Sequence, residues 1–372
     1  METKQTKIYA EVLEESALEQ FNSAMGQDFV VKGALMPDAH TGYSLPIGSV
    51  VATKGVVVPS WVGFDIGCGM CAVPLKGITK DLVKGFSQEI FDQIYKEVPV
   101  GFNVHKTDQV SPDSLIDDMT DIGKSIAIKK SCGKALGTLG GGNHFIEIGY
   151  DEDETVWIVI HSGSRGVGHG IATHYMKEAD PEGKCRDGHH GFEVNSAIGK
   201  DYIKDLNSCL HYALKNRMYI AKNVIKAINK VAVNLDVSGD FDKLINRNHN
   251  HAELKDGLWV HRKGATHAEK DMLGVIPANM RDGAFIVIGK GCAESLESSS
   301  HGAGRVLGRK AAKRELKLED FQETMVDIKA KVSDNTLDES PMAYKNIFDV
   351  MRLQEDLVEV LHHIKPLINI KG

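Results

Sequence analysis

Five short segments of this chain repeat one design: a strand-like run ends, glycines crowd in, and a metal-capable or nucleophilic side chain stands among them. They are Asp65-Ile66-Gly67-Cys68-Gly69-Met70, Gly142-Asn143-His144, Ile160-His161-Ser162-Gly163-Ser164-Arg165-Gly166, Asn246-Arg247-Asn248-His249-Asn250-His251 and Ser300-His301-Gly302-Ala303-Gly304-Arg305. Loops at strand ends are where a rigid scaffold displays functional groups. Taken singly, each has an ordinary explanation. A histidine beside a strand is more often a hydrogen-bonded structural residue than a ligand, Cys68 alone reads as a small buried hydrophobe, and a glycine run is often only a turn. Five unrelated turns seldom all carry ligand-type residues. The fold has to present these strand-end loops together.

The runs between the loops read as a mixture. Helical spacing covers residues 14–25, 80–97 and, with breaks, 195–230; residues 349–363 read as a final amphipathic helix. Strand patterns cover 29–35 (leading into a loop), 49–53, 71–75 and 284–288, and the continuous apolar run 155–160 is typical of a strand buried on both faces. There is no clean βαβ rhythm and no convincing boundary. The expected fold class is α/β in the mixed α+β sense, one domain over residues 1–372, with central sheets flanked by helices and a metal site at strand-end loops.

Composition bounds the partners. Apolar content of 42% and charged content of 26% are those of a soluble globular protein. No apolar stretch approaches the roughly 20 residues that span a bilayer. Met1-Glu2-Thr3-Lys4-Gln5 enters a strand-like run without the apolar core of a signal peptide, so the expected location is cytoplasmic and no membrane partner is expected. Six scattered cysteines, with Cys68 and Cys71 the only close pair, argue against a disulfide framework. A redox Cys-x-x-Cys pair would open a helix, whereas Cys71-Ala72-Val73-Pro74-Leu75 reads as strand. The net charge of −7 argues against an all-over nucleic-acid coat but not against a local basic groove. Arg305, Arg309, Lys310, Lys313 and Arg314 form one basic cluster, whose ordinary reading is a solvated helix face.

Asp65 and Cys68, close together in a tight turn, could both face one ion. Imidazoles from His144, His161 and His249 would complete two adjacent sites bridged by the thiolate, each ligand being deprotonated. Thiolate and imidazole by themselves suit zinc. His301 differs in kind. Its small-residue loop Gly302, Ala303, Gly304 and the guanidinium of Arg305 could hold phosphate oxygens, and neutral imidazole is a competent nucleophile toward phosphorus.

At these residues the chain resembles the RtcB-type RNA ligases, a family that joins RNA ends using GTP and manganese. The resemblance spans nearly the whole chain. It runs through Met36-Pro37-Asp38-Ala39-His40-Thr41-Gly42, residues 65–70, 141–149 and 161–166, Asn248-His249-Asn250, Arg262-Lys263-Gly264-Ala265-Thr266, residues 301–305, Ala343-Tyr344-Lys345 and Lys371-Gly372. It implies two Mn²⁺ per chain, one on Asp65, Cys68 and His144 and the other on Cys68, His161 and His249, in place of zinc. His301 would take GMP from GTP as a histidine phosphoramidate. An RNA 2′,3′-cyclic phosphate, opened to a 3′-phosphate by metal-activated water, would accept the guanylyl group to give an RNA 3′-pp-G end. A 5′-hydroxyl would then displace GMP. Two cations suit such in-line displacements.

The resemblance also implies Asn143 on a GTP phosphate, Glu147 accepting from guanine or orienting His301, and Tyr344 and Lys371 lining the base pocket. His249, Asn279, Gly302, Ala303 and Gly304 would lie at the nucleotide, and Arg165, Arg305 and Arg309 at RNA or nucleotide phosphates. A regular pleat would turn His144 and Glu147 to opposite faces, so their shared role requires the strand to twist, bulge or start late. The chain also departs from the family. Ala278-Asn279-Met280-Arg281-Asp282-Gly283-Ala284 stands where Gly-Ser-Met-Gly and a further serine are usual, His267 where arginine is common, and Gly308 where serine is frequent. The alternatives are a dinuclear metallo-phosphoesterase using His301 as general acid, and an RNA end-binding factor with a structural metal. Whether an activating protein partner is needed, and the oligomeric state, stay open.

Overall fold

The run Val156–Ser162 is buried at every position, and it lies deep inside a sheet. In the computed structural model, which describes residues 4–180, 182 and 188–372, this strand pairs antiparallel with Gly69–Lys76 on one side and Phe145–Tyr150 on the other. Met1, Glu2 and Thr3 lie outside the described residues. Along the main path the sheet runs Ile245–Asn248, Gly69–Lys76, Val156–Ser162, Phe145–Tyr150, Val358–Lys371, Ala284–Gly289, Leu273–Pro277. Antiparallel order places the beginnings of some strands beside the ends of others. Gly69 therefore sits opposite both Asn248 and Ser162, Phe145 opposite His161, and Lys371 opposite Phe145. Four of the predicted segments, and the penultimate residue, thus meet along one edge.

A second sheet orders Gln5–Ile8, Val30–Tyr43, Leu45–Thr53, Leu258–Lys263 and Asn250–Lys255. His249 is the single residue between Ile245–Asn248 in the first sheet and Asn250–Lys255 in the second. A short ribbon, Ala265–His267 with Ser298–Ser300, delivers His301 to the same place. Strands and helices are mixed and the large sheets are mainly antiparallel, as the absent βαβ rhythm predicts.

Behind the first sheet lies one 35-residue helix, Ala197–Val231, begun by the Ser196 hydroxyl accepting from the Gly199 amide. It is unbroken, against the expected interruptions, because it has no proline and its Ala, Leu and Lys residues favour helix throughout. Its apolar face, including Ile220, Val224 and Ile228, packs with Ile146, Ile148, Ile158 and Ile160 in one core. Cys71 belongs to that core, and the five described cysteines are all free.

Three other expectations need correction. The spacing over 80–97 becomes two helices, Lys80–Gly85 and Ser87–Glu97, parted at Phe86 after a glycine. The strand expected at 29–35 continues to Tyr43, so Asp38 and His40 stand on an irregularly paired strand rather than in a loop. The expected final helix over 349–363 is wrong. A short helix Ile347–Arg352 is followed by the strand Val358–Lys371. Leu353, Leu357, Leu361 and Ile364 mimic a helical face, but pairing with two distant strands decides the segment. As a strand the segment buries Ile364, Leu367, Ile368 and Ile370, each worth about 1.5–3 kcal/mol, and pairs on both sides. Among the described residues, no helix is long and apolar enough to cross a membrane.

Candidate active site

At the shared edge the ligand-type side chains converge. Cys68 Sγ lies 3.1 Å from His161 Nε2 and 3.4 Å from His144 Nε2; His161 Nε2 lies 3.3 Å from His249 Nε2, and His144 Nε2 2.9 Å from Asp65 Oδ2. Two groups result, Asp65–Cys68–His144 and Cys68–His161–His249, sharing the sulfur. The rings are set for ligation by their far nitrogens. His144 Nδ1–H donates to the Leu139 carbonyl (3.0 Å) and His161 Nδ1–H to the Asn143 carbonyl (3.1 Å). Both Nε2 lone pairs therefore face the sulfur. Burial holds His161 and His249 well below the ordinary imidazole range, hence neutral, and burial then Asp65 push the Cys68 thiol up. Converging lone pairs and a buried sulfur with no cation among them fit a divalent metal, whose charge would reverse the shift at Cys68.

The glycines before His144 now have a physical reason. Gly140 has φ +96°, and a Cβ there would run into the Arg165 guanidinium and stand 2.6 Å from His144 Nδ1. The strand itself begins only at Phe145. His144 thus lies in the preceding turn, outside the alternation, while Phe145 and Glu147 share the face that lines the cleft. The late start removes the conflict posed by the pleat.

The cleft beside the ligand cluster is lined by His161, Asn143, Phe145, Glu147, Asn279, residues 301–305, Arg309, Tyr344, Asn369 and Lys371. His301 is wedged against His249, with ring centroids 4.8 Å apart, and against Gly264, where a Cβ would lie 3.0 Å from its Cε1. Its Nδ1 lies 2.7 Å from Asp38 Oδ2, off the ideal hydrogen-bond direction, and neither atom has another partner. Lys345 holds the Asp38 segment by donating to the Ala39 (2.8 Å) and Pro37 (3.3 Å) carbonyls. Burial pushes Glu147 up to about 8, against the pull of Asn369, which donates to its Oε2 at 3.0 Å, and of Lys371.

The other predicted residues differ in what their side chains do. Asn279 reaches the cleft wall but locks its own turn, accepting from the Arg281 and Asp282 amides and donating to Asp282. Arg305 and Arg309 reach the cleft, yet ion-pair with Glu339, and Arg309 also with Asp338; Lys313 joins them at 3.4 Å. Part of the basic cluster is therefore internally neutralised. Arg165 stands outside the cleft lining and donates to the Gly101 carbonyl and Thr138. His267, which the sequence comparison set against a usual arginine, has its Nδ1 3.0 Å from Glu269 Oε1. His251, Glu253 and His267 form a third ligand-type group, but the buried Arg262 guanidinium already sits among them, donating to Glu253 and His251.

Sequence reasoning missed four residues. Asp38 stands in the block 36–42 with nothing local to single it out. Glu339 is buried and gathers Tyr344 Oη, Lys371 Nζ (both 2.8 Å) and Arg309; although burial opposes it, Lys371 and Arg309 hold its carboxyl down to about 2. Asn216 and Arg217, inside the long helix, tie the loops together. Asn216 bonds Gly137, Thr138, Ser162 and Gly163, and Arg217 bonds Gly67, Ser162, Asn246 and Asn248. The only available signal was polar residues interrupting an apolar helix face.

A family profile described as tRNA-splicing ligase RtcB matches residues 20–135 and 125–372. The chain is 34% identical to the RNA-splicing ligase RtcB of Escherichia coli K12, across 97% of this chain and 95% of that protein. It is 30% identical to the tRNA-splicing ligase RtcB of Archaeoglobus fulgidus (95% and 88%) and 27% identical to the RNA-splicing ligase RtcB homolog 1 of Entamoeba dispar (96% and 82%). With a profile covering nearly all of it and relatives matched end to end, the chain belongs to the RtcB ligase family.

Proposed function

We propose that this protein ligates RNA, joining a 2′,3′-cyclic phosphate or 3′-phosphate end to a 5′-hydroxyl end, with GTP as activating nucleotide and His301 as guanylyl acceptor. The contact that supports it best is His301 Nδ1 against the buried Asp38 carboxylate, beside the metal-ligand cluster. With Nδ1 so engaged, Nε2 is the nitrogen left to attack. Asp38 would keep the ring oriented and offset the positive charge that grows on it as the N–P bond forms. The bond from the α-phosphorus to pyrophosphate breaks as that bond forms. An RNA 3′-phosphate oxygen then takes the guanylyl group from His301, and the 5′-hydroxyl attacks the 3′-phosphorus, releasing GMP. Cations held by Asp65, Cys68, His144, His161 and His249, two Mn²⁺ in this proposal, would neutralise phosphate charge. Tyr344 and Lys371, held by Glu339, would flank the base.

The test is labelling with α-labelled GTP and Mn²⁺. The wild type should acquire a label stable to alkali and lost in acid, as a phosphoramidate is, and His301→Ala should acquire none. Label persisting in the variant would remove His301 from this role; no label on the wild type would return the site to hydrolysis or simple end-binding.

Glu147 adds a pH dependence. Guanine N–H donors need a carboxylate acceptor, but burial keeps Glu147 protonated below about 8. Nucleotide binding should therefore expel a proton. GTP affinity should climb by up to about ten-fold per pH unit below that value and level off above it. Stability runs the other way: between its unfolded pKa and about 8, native Glu147 keeps a proton that the unfolded chain has lost, so its contribution falls as pH rises through that window. Calorimetry of GTP binding in buffers of different ionisation enthalpy measures the released proton. Glu147→Gln should bind more weakly and without that release; a variant that still releases it would assign the proton elsewhere.

A further inference from the structure

Phe102 is the most exposed large apolar side chain among the described residues, at 107% of its reference area, yet its backbone is held firmly. Val100 bridges Gly140, the Gly101 amide donates to the Gly140 carbonyl (2.7 Å), and Arg165 Nη2 donates to the Gly101 carbonyl (2.8 Å). The Asn103 amide and side chain both donate to the Val100 carbonyl, and the His105 amide to that of Lys134. Gly101 Cα lies 3.6 Å from where a Cβ on Gly141 would stand. The phenylalanine is therefore built onto the same backbone as the exposed lip Gly141-Gly142-Asn143, immediately before His144. Two guanidiniums stand at that lip: Arg165, which holds Gly101, and Arg309, 3.9 Å from a Cβ on Gly142 and ion-paired behind with Asp338 and Glu339.

We infer that Phe102 is a stacking platform for a nucleobase of the RNA strand whose end reacts in the cleft. The inference rests on the ligase reading for the identity of the ligand. An aromatic ring left in water on a fixed turn forgoes the burial a core would give it. A base recovers that burial, and because every base has a π-face the contact is indifferent to sequence. The guanidiniums at the lip suit a phosphate of the strand that carries the stacked base. A hydrophobic protein partner would want a wider apolar surface than one ring.

The experiment compares the wild type with Phe102→Ala, Phe102→Leu and Phe102→Trp. Guanylylation by GTP, which involves no RNA, should be the same in all four. A short single-stranded RNA with a 3′-phosphate and 2-aminopurine near that end serves as probe, at fixed salt. The alanine and leucine variants should bind it about ten-fold more weakly and lose the fluorescence quench, and tryptophan should restore both. Unchanged RNA affinity, or a quench that persists in Phe102→Ala, would overturn the inference. Failure of the wild type to take label from GTP would overturn the ligase reading instead; binding and quench would still decide Phe102.

Discussion

Cys68→Ala should bind no manganese at either position, whereas His249→Ala and Asp65→Ala should each retain about one ion. The asymmetry follows from one sulfur serving both ligand groups. Alanine at 68 leaves each group with two side chains, while loss of His249 leaves Asp65, Cys68 and His144 intact. The side chain is buried in a well-made site, so removal of the thiol deletes a ligand without exposing the core. Metal analysis after equilibrium dialysis reads the stoichiometry directly. Two ions retained by Cys68→Ala would contradict the bridge, and one retained would mean that the groups do not share it.

Arg217→Met should be the most destabilising single change in the long helix. The guanidinium is fully buried and donates to the Gly67 and Ser162 carbonyls (2.8 Å each) and to Asn246 and Asn248 (2.7 Å each). Burial lowers it to about 10, opposed by Cys71, Cys68 and Asp65, so it stays charged at neutral pH. Methionine fills much of the volume but strands four acceptors. At about 1–3 kcal/mol for each buried group left unsatisfied, and allowing for relaxation, the loss is on the order of 3–5 kcal/mol. For a chain of this length that lowers Tm by about 5 °C. Arg281, paired only with the adjacent Asp282 and half exposed, makes a control: Arg281→Met should stay within about 0.5 kcal/mol of the parent. Thermal melts of both variants without metal decide the point. A melt for Arg217→Met that matches the control would show that the helix does not hold the loops.

What could be read from the chain beforehand divides along a physical line. Cys68, His144, His161, His249 and His301 were legible because glycines set ligand-type side chains apart from ordinary surface. Asp38, Asn216, Arg217 and Glu339 were not. A polar residue on a strand or helix looks the same whether it faces water or is buried with its partners, and only packing tells the two apart. The late start at Phe145 was open as one of three solutions, and the turn at Gly140 selected it. Residues 349–363 read as a helix by their spacing, and wrongly beyond Arg352; pairing with Phe145–Tyr150 and Ala284–Gly289 makes the later part a strand, a long-range contact no local period contains.

That pairing also fixes when the site can exist. Val358–Lys371 lies between the two halves of the larger sheet, joining strands from the middle of the chain to strands more than a hundred residues later. Such distant pairings are slow to form, since loop closure precedes any reward. During synthesis all the cysteine and histidine ligand-type residues of the cluster emerge first, but the wall that carries Lys371 is missing until residues 358–371 have emerged. A ribosome stalled short of that point would hold a chain whose cleft lacks the Lys371 wall and whose sheet lacks the strand that joins its halves.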